Sequence, residues 1–416
     1  MLASGAVVPR WPVSTADQGF SWTATSGLWA LAALVEVPCM ILAGQLPNRF
    51  GHKQVLLFGV VSVAVFLAYT LSIVRLLAME RGLSMEKLGV AFLGLDHWYA
   101  AFDLLGAAAR SELVRVVAVA HDDAVRGEQA ARKAGATIAT TDYRAAIDRP
   151  DVQLVAVLYS SDRAAAVCRE AAALGKQIVC VKPMARELED ADSVVVAVRS
   201  AGVAFFPLDC NGRLRPDLQR TRAWLREGRI GRPLRYLHTL HASLPMAWPG
   251  HDDPGWWTDP ARVPGGAWLD HAIYAIDTAR WLLGAEPASV TGIYGRQRYP
   301  ELPVEDFGIA AFTFANGAVA LIEDTWTSDR GYGLYRNELI GSAGAIVEES
   351  GGRLALRGAF GFDDWVVAAP ARGPHQSAIE HVAACIRGEA EPLATVEDGR
   401  ANLAACLAFY QKATRV

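Results

Sequence analysis

Ile178-Val-Cys-Val-Lys-Pro-Met-Ala185 is the stretch around which the chain is organised. Four apolar residues read as a buried strand that delivers a lysine and then a proline at its carboxyl end. In an open parallel sheet that end is where ligands bind. Lysine is almost never buried without a partner. Lys182, following Val179-Cys180-Val181, therefore requires either a counter-charge or solvent. The plainer alternative is a surface lysine that begins a loop, and the stretch alone leaves both open.

The 416 residues suffice for two or three domains with sizeable cores. A net charge of −4 with 20% charged residues points neither to a nucleic-acid partner nor to disorder. The hydrophobic share of 52% is high for a soluble enzyme, and the first eighty or so residues largely account for it. Cysteines 39, 168, 180, 210, 385 and 406 include no CxxC pair and no zinc spacing. They read as reduced core residues.

Gly27 to Leu46 is apolar except for Glu36 and Gln45, and Val55 to Ile73 carries no charge. Both segments are long enough to cross a bilayer, so residues 27–76 predict a possible membrane association. Gly44-Gln-Leu-Pro-Asn-Arg-Phe-Gly-His-Lys53 resembles the basic loop between neighbouring helices of major facilitator transporters, with Asn48 in place of the aspartate. One helical hairpin is too little for alternating access. Arg49 and Lys53 would hold the loop in the cytoplasm and send the rest of the chain outside. The favoured expectation is a transporter remnant joined to a cytoplasmic enzyme that starts near Met79 or Met85.

From Lys87 strand and helix signals alternate, the pattern of a doubly wound α/β domain. Leu88–Leu93 reads as the first strand, Ala100–Arg110 as a helix and Val114–Ala120 as the second strand. Arg126–Ala134 follows as a helix, Asp151–Leu158 as a further strand and Arg163–Leu174 as a further helix. The first turn, Gly94-Leu-Asp-His-Trp-Tyr99, is only part of a G-x-G-x-x-G fingerprint, because Asp96 holds the second glycine's place. A carboxylate there repels pyrophosphate unless it points away or caps the helix, and capping is the expected role. The acid that grips the adenosine ribose comes one position late, in His121-Asp122-Asp123, which leaves NAD and NADP both open.

Gly265-Gly-Ala-Trp-Leu-Asp-His-Ala-Ile-Tyr-Ala-Ile-Asp277 places Asp270, Tyr274 and Asp277 on one helical face. With the strand-end Lys-Pro, Asn211-Gly-Arg213, Ile230-Gly-Arg-Pro233 and the tail blocks Ile379–Gly388 and Thr395–Gly399, residues 87–416 resemble the Gfo/Idh/MocA oxidoreductases. The resemblance implies an α/β Rossmann domain over residues 85–208. It also implies an α+β C-terminal domain with a large, mostly antiparallel sheet over 209–416, after the transmembrane-like hairpin of 1–84. Strand signals run from Ala242 onward and recur at Ile309–Phe314, Ala318–Glu323 and Asn337–Ile340. Family members commonly oligomerise through the open face of that sheet, bind NAD or NADP, and act on a sugar, polyol or related hydroxy compound.

Carried over, Lys182 is the lysine of the family's Glu-Lys-Pro motif, with Val181 in place of the glutamate. Asp270 matches the aspartate of Asp-x-Gly-x-His, while Ala272 and Tyr274 replace its glycine and histidine. Expected cofactor contacts are Gly94, Leu95, His97, His121, Asp122, Tyr159, Ser160, Lys182 and Pro183. Tyr274 is expected as general acid/base, its pKa of about 10 lowered by the Lys182 ammonium. Asp270 would orient substrate. His271 competes as base but points about 100° from Asp270 on a helix. Trp248, Trp256 and Trp257 suit either sugar stacking or a satellite apolar cluster. His238 and His241 fall on opposite strand faces, and no metal is expected. The alternative is a non-catalytic member that binds cofactor or sugar as a regulator, which the departures at Asp96, His121, Val181 and Tyr274 favour. A membrane transport component would rest on the hairpin alone.

Overall fold

The computed structural model describes residues 87–350, 353–358, 361–362, 366–367 and 374–416. The transporter-like hairpin expected within residues 1–84 lies outside them. Among the described residues no helix is long and apolar enough to cross a membrane.

The apolar runs of the first half form a six-stranded sheet. In chain order its elements are β1 (Leu88–Leu93), α1 (Trp98–Arg110), β2 (Val114–Ala120), α2 (Ala124–Ala134), β3 (Ile138–Thr140) and α3 (Tyr143–Ile147). They continue with β4 (Leu154–Val157), α4 (Ser161–Ala173), β5 (Gln177–Cys180), α5 (Leu188–Ala201) and β6 (Phe205–Pro207). Every pairing is parallel, in the order β3-β2-β1-β4-β5-β6. Helices cover both faces, so Val90–Leu93 and Leu154–Val157 are wholly buried and read as continuous apolar runs. Strand order reverses between β1 and β4, which opens a crevice at their carboxyl ends.

A 3₁₀ segment (Leu208–Leu214) and α6 (Pro216–Arg226) lead to the second sheet. Its strands are β7 (Pro233–His241), β8 (Pro287–Gly295), β9 (Phe307–Phe314), β10 (Val319–Thr325), β11 (Leu334–Gly341), β12 (Gly344–Glu349), β13 (Arg353–Gly358), β14 (Gly361–Phe362), β15 (Val366–Val367) and β16 (Thr414–Arg415). This ten-stranded sheet is antiparallel except where β10 runs beside β7 and β16 beside β8. One face is packed and the other open, so β9 alternates Ala310, Phe312 and Phe314 inward with Ile309 and Thr313 outward.

The helices α7 (Ala267–Leu283), α8 (Pro374–Ile386) and α9 (Val396–Lys412) complete the fold. Trp268 of α7, wholly buried, stacks on Phe409 of α9 at 4.0 Å and lies 6.3 Å from Phe312 of β9. Each such side chain contributes roughly 1.5–3 kcal/mol over exposure, and together they hold α7 against the sheet.

The strand expected from Ala242 onward instead ends at His241. Residues 242–266 form a loop with one short 3₁₀ turn, Gly255–Thr258. Pro245, Pro249, Pro254, Pro260 and Pro264 explain this, since proline lacks the N–H that a ladder needs.

Candidate active site

The carboxyl end of β5 meets the amino-terminal turn of α7, and those of β1 and β4 meet the loop before it. Lys182 follows β5 across a cis peptide bond to Pro183 and is 1% exposed. Its ammonium donates to the Asp270 carboxylate Oδ1 and to the Asp270 backbone carbonyl. Burial alone would strip the lysine of charge, but Asp270, with Tyr274 and Asp324, holds its pKa above the ordinary lysine range. Against the same burial penalty, His271 and Lys182 pull the Asp270 pKa down to about 2. Trp326, just past β10, donates its indole N–H to Asp270 Oδ2 at 3.1 Å. Lys182 therefore has a partner, and the pair is locked from three elements.

The Lys182 ammonium also lies 5.2 Å from the centre of the Tyr274 ring and 5.3 Å from that of Trp257. It lies over the tyrosine's ring. Burial raises the Tyr274 pKa well above 10, Tyr99 adds to the rise, and Lys182 only partly opposes it. The expected lowering by Lys182 is thus present but outweighed by burial. Asp277, expected on the same face, turns instead to Arg213, which grips it through two hydrogen bonds of 2.6 and 3.1 Å.

His271 enters the cluster from the next position on α7. Its Nε2 is 3.4 Å from Asp270 Oδ2, and its Nδ1 is 3.4 Å from Oδ1 of Asp324, a wholly buried residue of β10. The 100° separation from Asp270 holds, but three residues bring His271 back to within about 60° of Tyr274.

At the β1 turn, Gly94 adopts φ +85, and a Cβ there would meet the Tyr159 ring at 2.7 Å. The turn thus demands glycine. Leu95 and Tyr159 are wholly buried behind it, so any share Leu95 takes in holding a ligand comes through backbone. Asp96 does not cap α1; its Oδ2 accepts the Ser160 backbone N–H at 2.8 Å and lies 3.4 Å from Arg262. The cap position falls to His97, whose side chain makes no cap hydrogen bond, while Asp96 is drawn across to Ser160 at the start of α4. Arg262 also donates to Ser160 Oγ at 2.6 Å. A guanidinium thus neutralises the carboxylate that stands where backbone alone was expected.

His121 is buried at the end of β2, its ring parallel to that of Trp248, which the Arg126 guanidinium covers at 4.2 Å. Asp122 is exposed and pairs with Arg163 at 2.5 Å. Trp256 and Trp257 stack on one another at 4.2 Å and pack on His97, roofing Lys182 as a small apolar cluster with Val263, Ala267, Val304 and Trp326. His238 faces inward and meets Asn337 at 2.7 Å, whereas His241 meets Glu323 at 3.1 Å. Among the described residues no group of three or more His, Cys, Asp or Glu side chains is placed to hold a metal ion.

Three buried polar atoms at these strand ends have no protein partner: His97 Nε2, His121 Nδ1 and the Tyr159 hydroxyl. Buried polar groups rarely go unsatisfied. Their placement along the ends of β1, β2 and β4, beside the amino terminus of α1, fits a dinucleotide laid across the crevice. Arg262, Asp324 and Trp326 were not legible as site residues. Asp324 lies 53 residues from its partner His271, Trp326 56 from Asp270 and Arg262 166 from Asp96, and nothing in their local sequence signals it.

Comparison with known proteins agrees. Residues 88–208 match the oxidoreductase family with an NAD-binding Rossmann fold, and residues 218–347 match the GFO/IDH/MocA C-terminal domain. The 1,5-anhydro-D-fructose reductase of Ensifer adhaerens is 31% identical over 307 residues, covering 72% of this chain and 88% of the relative. The scyllo-inositol 2-dehydrogenase (NAD(+)) of Bacillus subtilis is 26% identical over 340 residues, covering 78% and 92%. A levoglucosan dehydrogenase solved with NADH and levoglucosan superposes with a TM-score of 0.70 at 24% identity, covering 78% of this chain and 96% of that one. By fold, by sequence and by the Lys182–Asp270 pair at the strand ends, this chain belongs to the Gfo/Idh/MocA family of oxidoreductases.

Proposed function

We propose that the protein is an NAD-dependent oxidoreductase that moves a hydride between the nicotinamide and a carbinol carbon of a sugar, polyol or related hydroxy compound. The observation that carries this reading is the buried Lys182–Asp270 pair facing the dinucleotide crevice. A charged ammonium held there is a fixed donor for a substrate oxygen as it gains or loses charge. Relatives named as reductases and dehydrogenases of anhydrofructose, levoglucosan and inositol support the substrate class.

A bound nicotinamide supplies the hydride acceptor or donor. Gly94, Leu95 and His97 would hold the pyrophosphate turn, His121 and Asp122 the adenosine ribose, and Tyr159, Ser160, Lys182 and Pro183 the nicotinamide side. Of the two cofactors, NAD is favoured. Arg126 is engaged by Asp123 and Trp248, and Arg163 by Asp122, so neither guanidinium stands ready for the 2′-phosphate of NADP. Lys182 clamps the reacting oxygen, Asp270 holds the lysine in place, and Tyr274 acts as a phenol that hydrogen-bonds the substrate. Residues 85–208 serve as the dinucleotide-binding domain and 209–416 as the substrate and oligomerisation domain.

Titrating the protein with NADH and NADPH, following nicotinamide fluorescence, and then assaying anhydrofructose, levoglucosan and inositols tests this directly. Tighter NADH binding and turnover of one of these substrates is expected. Wild-type protein that binds neither dinucleotide would sink the reading. Binding without turnover, unchanged by Tyr274→Phe or Lys182→Met, would instead favour the regulatory alternative.

A further inference from the structure

Resting on the hydride-transfer reading, the geometry points to His271 as the side chain that takes the substrate's hydroxyl proton, with Asp324 positioning it. The imidazole is bracketed by two carboxylates at 3.4 Å, Asp324 at Nδ1 and Asp270 at Nε2. Nδ1 is buried and makes no hydrogen bond of good geometry, whereas the side chain as a whole keeps 27% exposure. The open part of the ring is therefore on the Nε2 side, next to the Lys182–Asp270 pair.

Asp324 supplies the independent observation. It is wholly buried on β10, neither of its oxygens has a hydrogen-bond partner, and the imidazole is the group within reach. A carboxylate so placed is tolerated where a neighbour shares a proton with it. The charges around the ring are Lys182 after β5, Asp270 on α7, Asp324 on β10 and His238 on β7. Lys182 and Asp270 neutralise one another, and His238 is kept neutral by burial. That leaves one mobile proton, held between His271 and Asp324. Burial pushes the Asp324 acid up to about 7, and the two carboxylates, against burial, lift His271 above its ordinary value. The apparent pKa belongs to the pair and not to either residue.

In the oxidative direction the carbinol C–H bond breaks, and its hydride passes to the nicotinamide. The hydroxyl O–H proton passes to His271 Nε2, and the carbonyl forms between the two atoms that lost them. In reduction the protonated pair returns that proton to the developing alkoxide. Tyr274, whose phenol is held protonated, cannot serve as this base near neutral pH. The histidine missing at position 274 is thus functionally replaced by one three residues earlier, backed by a strand carboxylate.

The test combines ring NMR with kinetics on the full chain. Selective ¹³C-histidine labelling, with His271→Gln identifying the signal, should show an Nδ1–H tautomer that titrates above about 6.5. Asp324→Asn should move that titration to lower pH. His271→Gln should bind NADH as wild type does, lose about 10²- to 10³-fold in kcat, and lose the acidic limb of the oxidation profile. Tyr274→Phe should keep that limb. The inference is overturned by a His271→Gln variant that retains the limb and turns over within about tenfold of wild type. A His271 ring that stays Nε2–H and does not titrate between about pH 5 and 8 overturns it equally. Absence of NADH binding by the wild type is a separate result that removes the hydride-transfer reading itself.

Discussion

At the residue scale the Lys182–Asp270 pair controls both charge and stability. Asp270→Ala leaves a buried ammonium without its counter-charge, and removal of one partner of a buried pair costs about 3–5 kcal/mol. The wild-type advantage has a defined pH dependence. The folded pKa of Asp270, about 2, lies below the ordinary 3.8. Stabilisation by the carboxylate is therefore complete above about pH 4 and is lost as pH falls toward 2. That component is on the order of 2 kcal/mol. Urea denaturation of wild type and Asp270→Ala should show a large gap in midpoint at pH 7 that narrows by pH 3. A gap independent of pH would mean that packing, not charge, accounts for the loss.

At the element scale, α7 is held in place by more than apolar contact. Arg213 of the 3₁₀ segment bonds Asp277 of α7 through two nitrogens, Asp398 of α9 at 2.9 Å and the Leu393 carbonyl at 2.8 Å. Asn402 of α9 closes the network by donating to Asp277 at 3.1 Å. Asp277 is 1% exposed, so Arg213→Met takes the two-pronged guanidinium from a buried carboxylate. A loss of about 3–5 kcal/mol is expected, with recovery of part of it in the double variant Arg213→Met, Asp277→Leu, read from urea midpoints. The family motif makes Arg213 and Asp277 legible as residues of interest, but their pairing across the 3₁₀ segment and α7 was not legible. Likewise β3 and α3, of three and five residues, are too short for any hydrophobic period to reveal them.

At the scale of the whole molecule, the open face of the second sheet carries Ile293, Ile309, Leu321 and Leu334, each at least 40% exposed. They lie on β8, β9, β10 and β11, interspersed with Arg235, Glu323 and Arg336. We propose that two copies of the chain pair through this face. Light scattering after size exclusion should report a dimer or larger species that Leu321→Glu shifts toward monomer, since a charge in an apolar contact must be desolvated without a partner. An unchanged mass for the variant would place the interface elsewhere.

Much of the fold was determined by the sequence alone. Continuous apolar runs at Leu88–Leu93 and Val116–Ala120 can be buried only on both faces, and that burial dictates a parallel sheet covered by helices. The Lys-Pro at the end of β5 and the Gly-Gly turn before Asp270 marked two halves of the site for the same local reason, since each lies at an element boundary. Tertiary structure decided which side chains complete it. Asp324 and Trp326 look like ordinary residues at the end of a strand until β10 is laid beside α7. Arg262 is one of many loop arginines until it meets Asp96. His271 changes from a neighbour of the motif to a candidate base once a buried carboxylate stands behind its ring. Apolar periodicity is encoded locally and can be read along the chain, whereas the ionisation of a buried group is set by charges that only folding brings within a few ångströms.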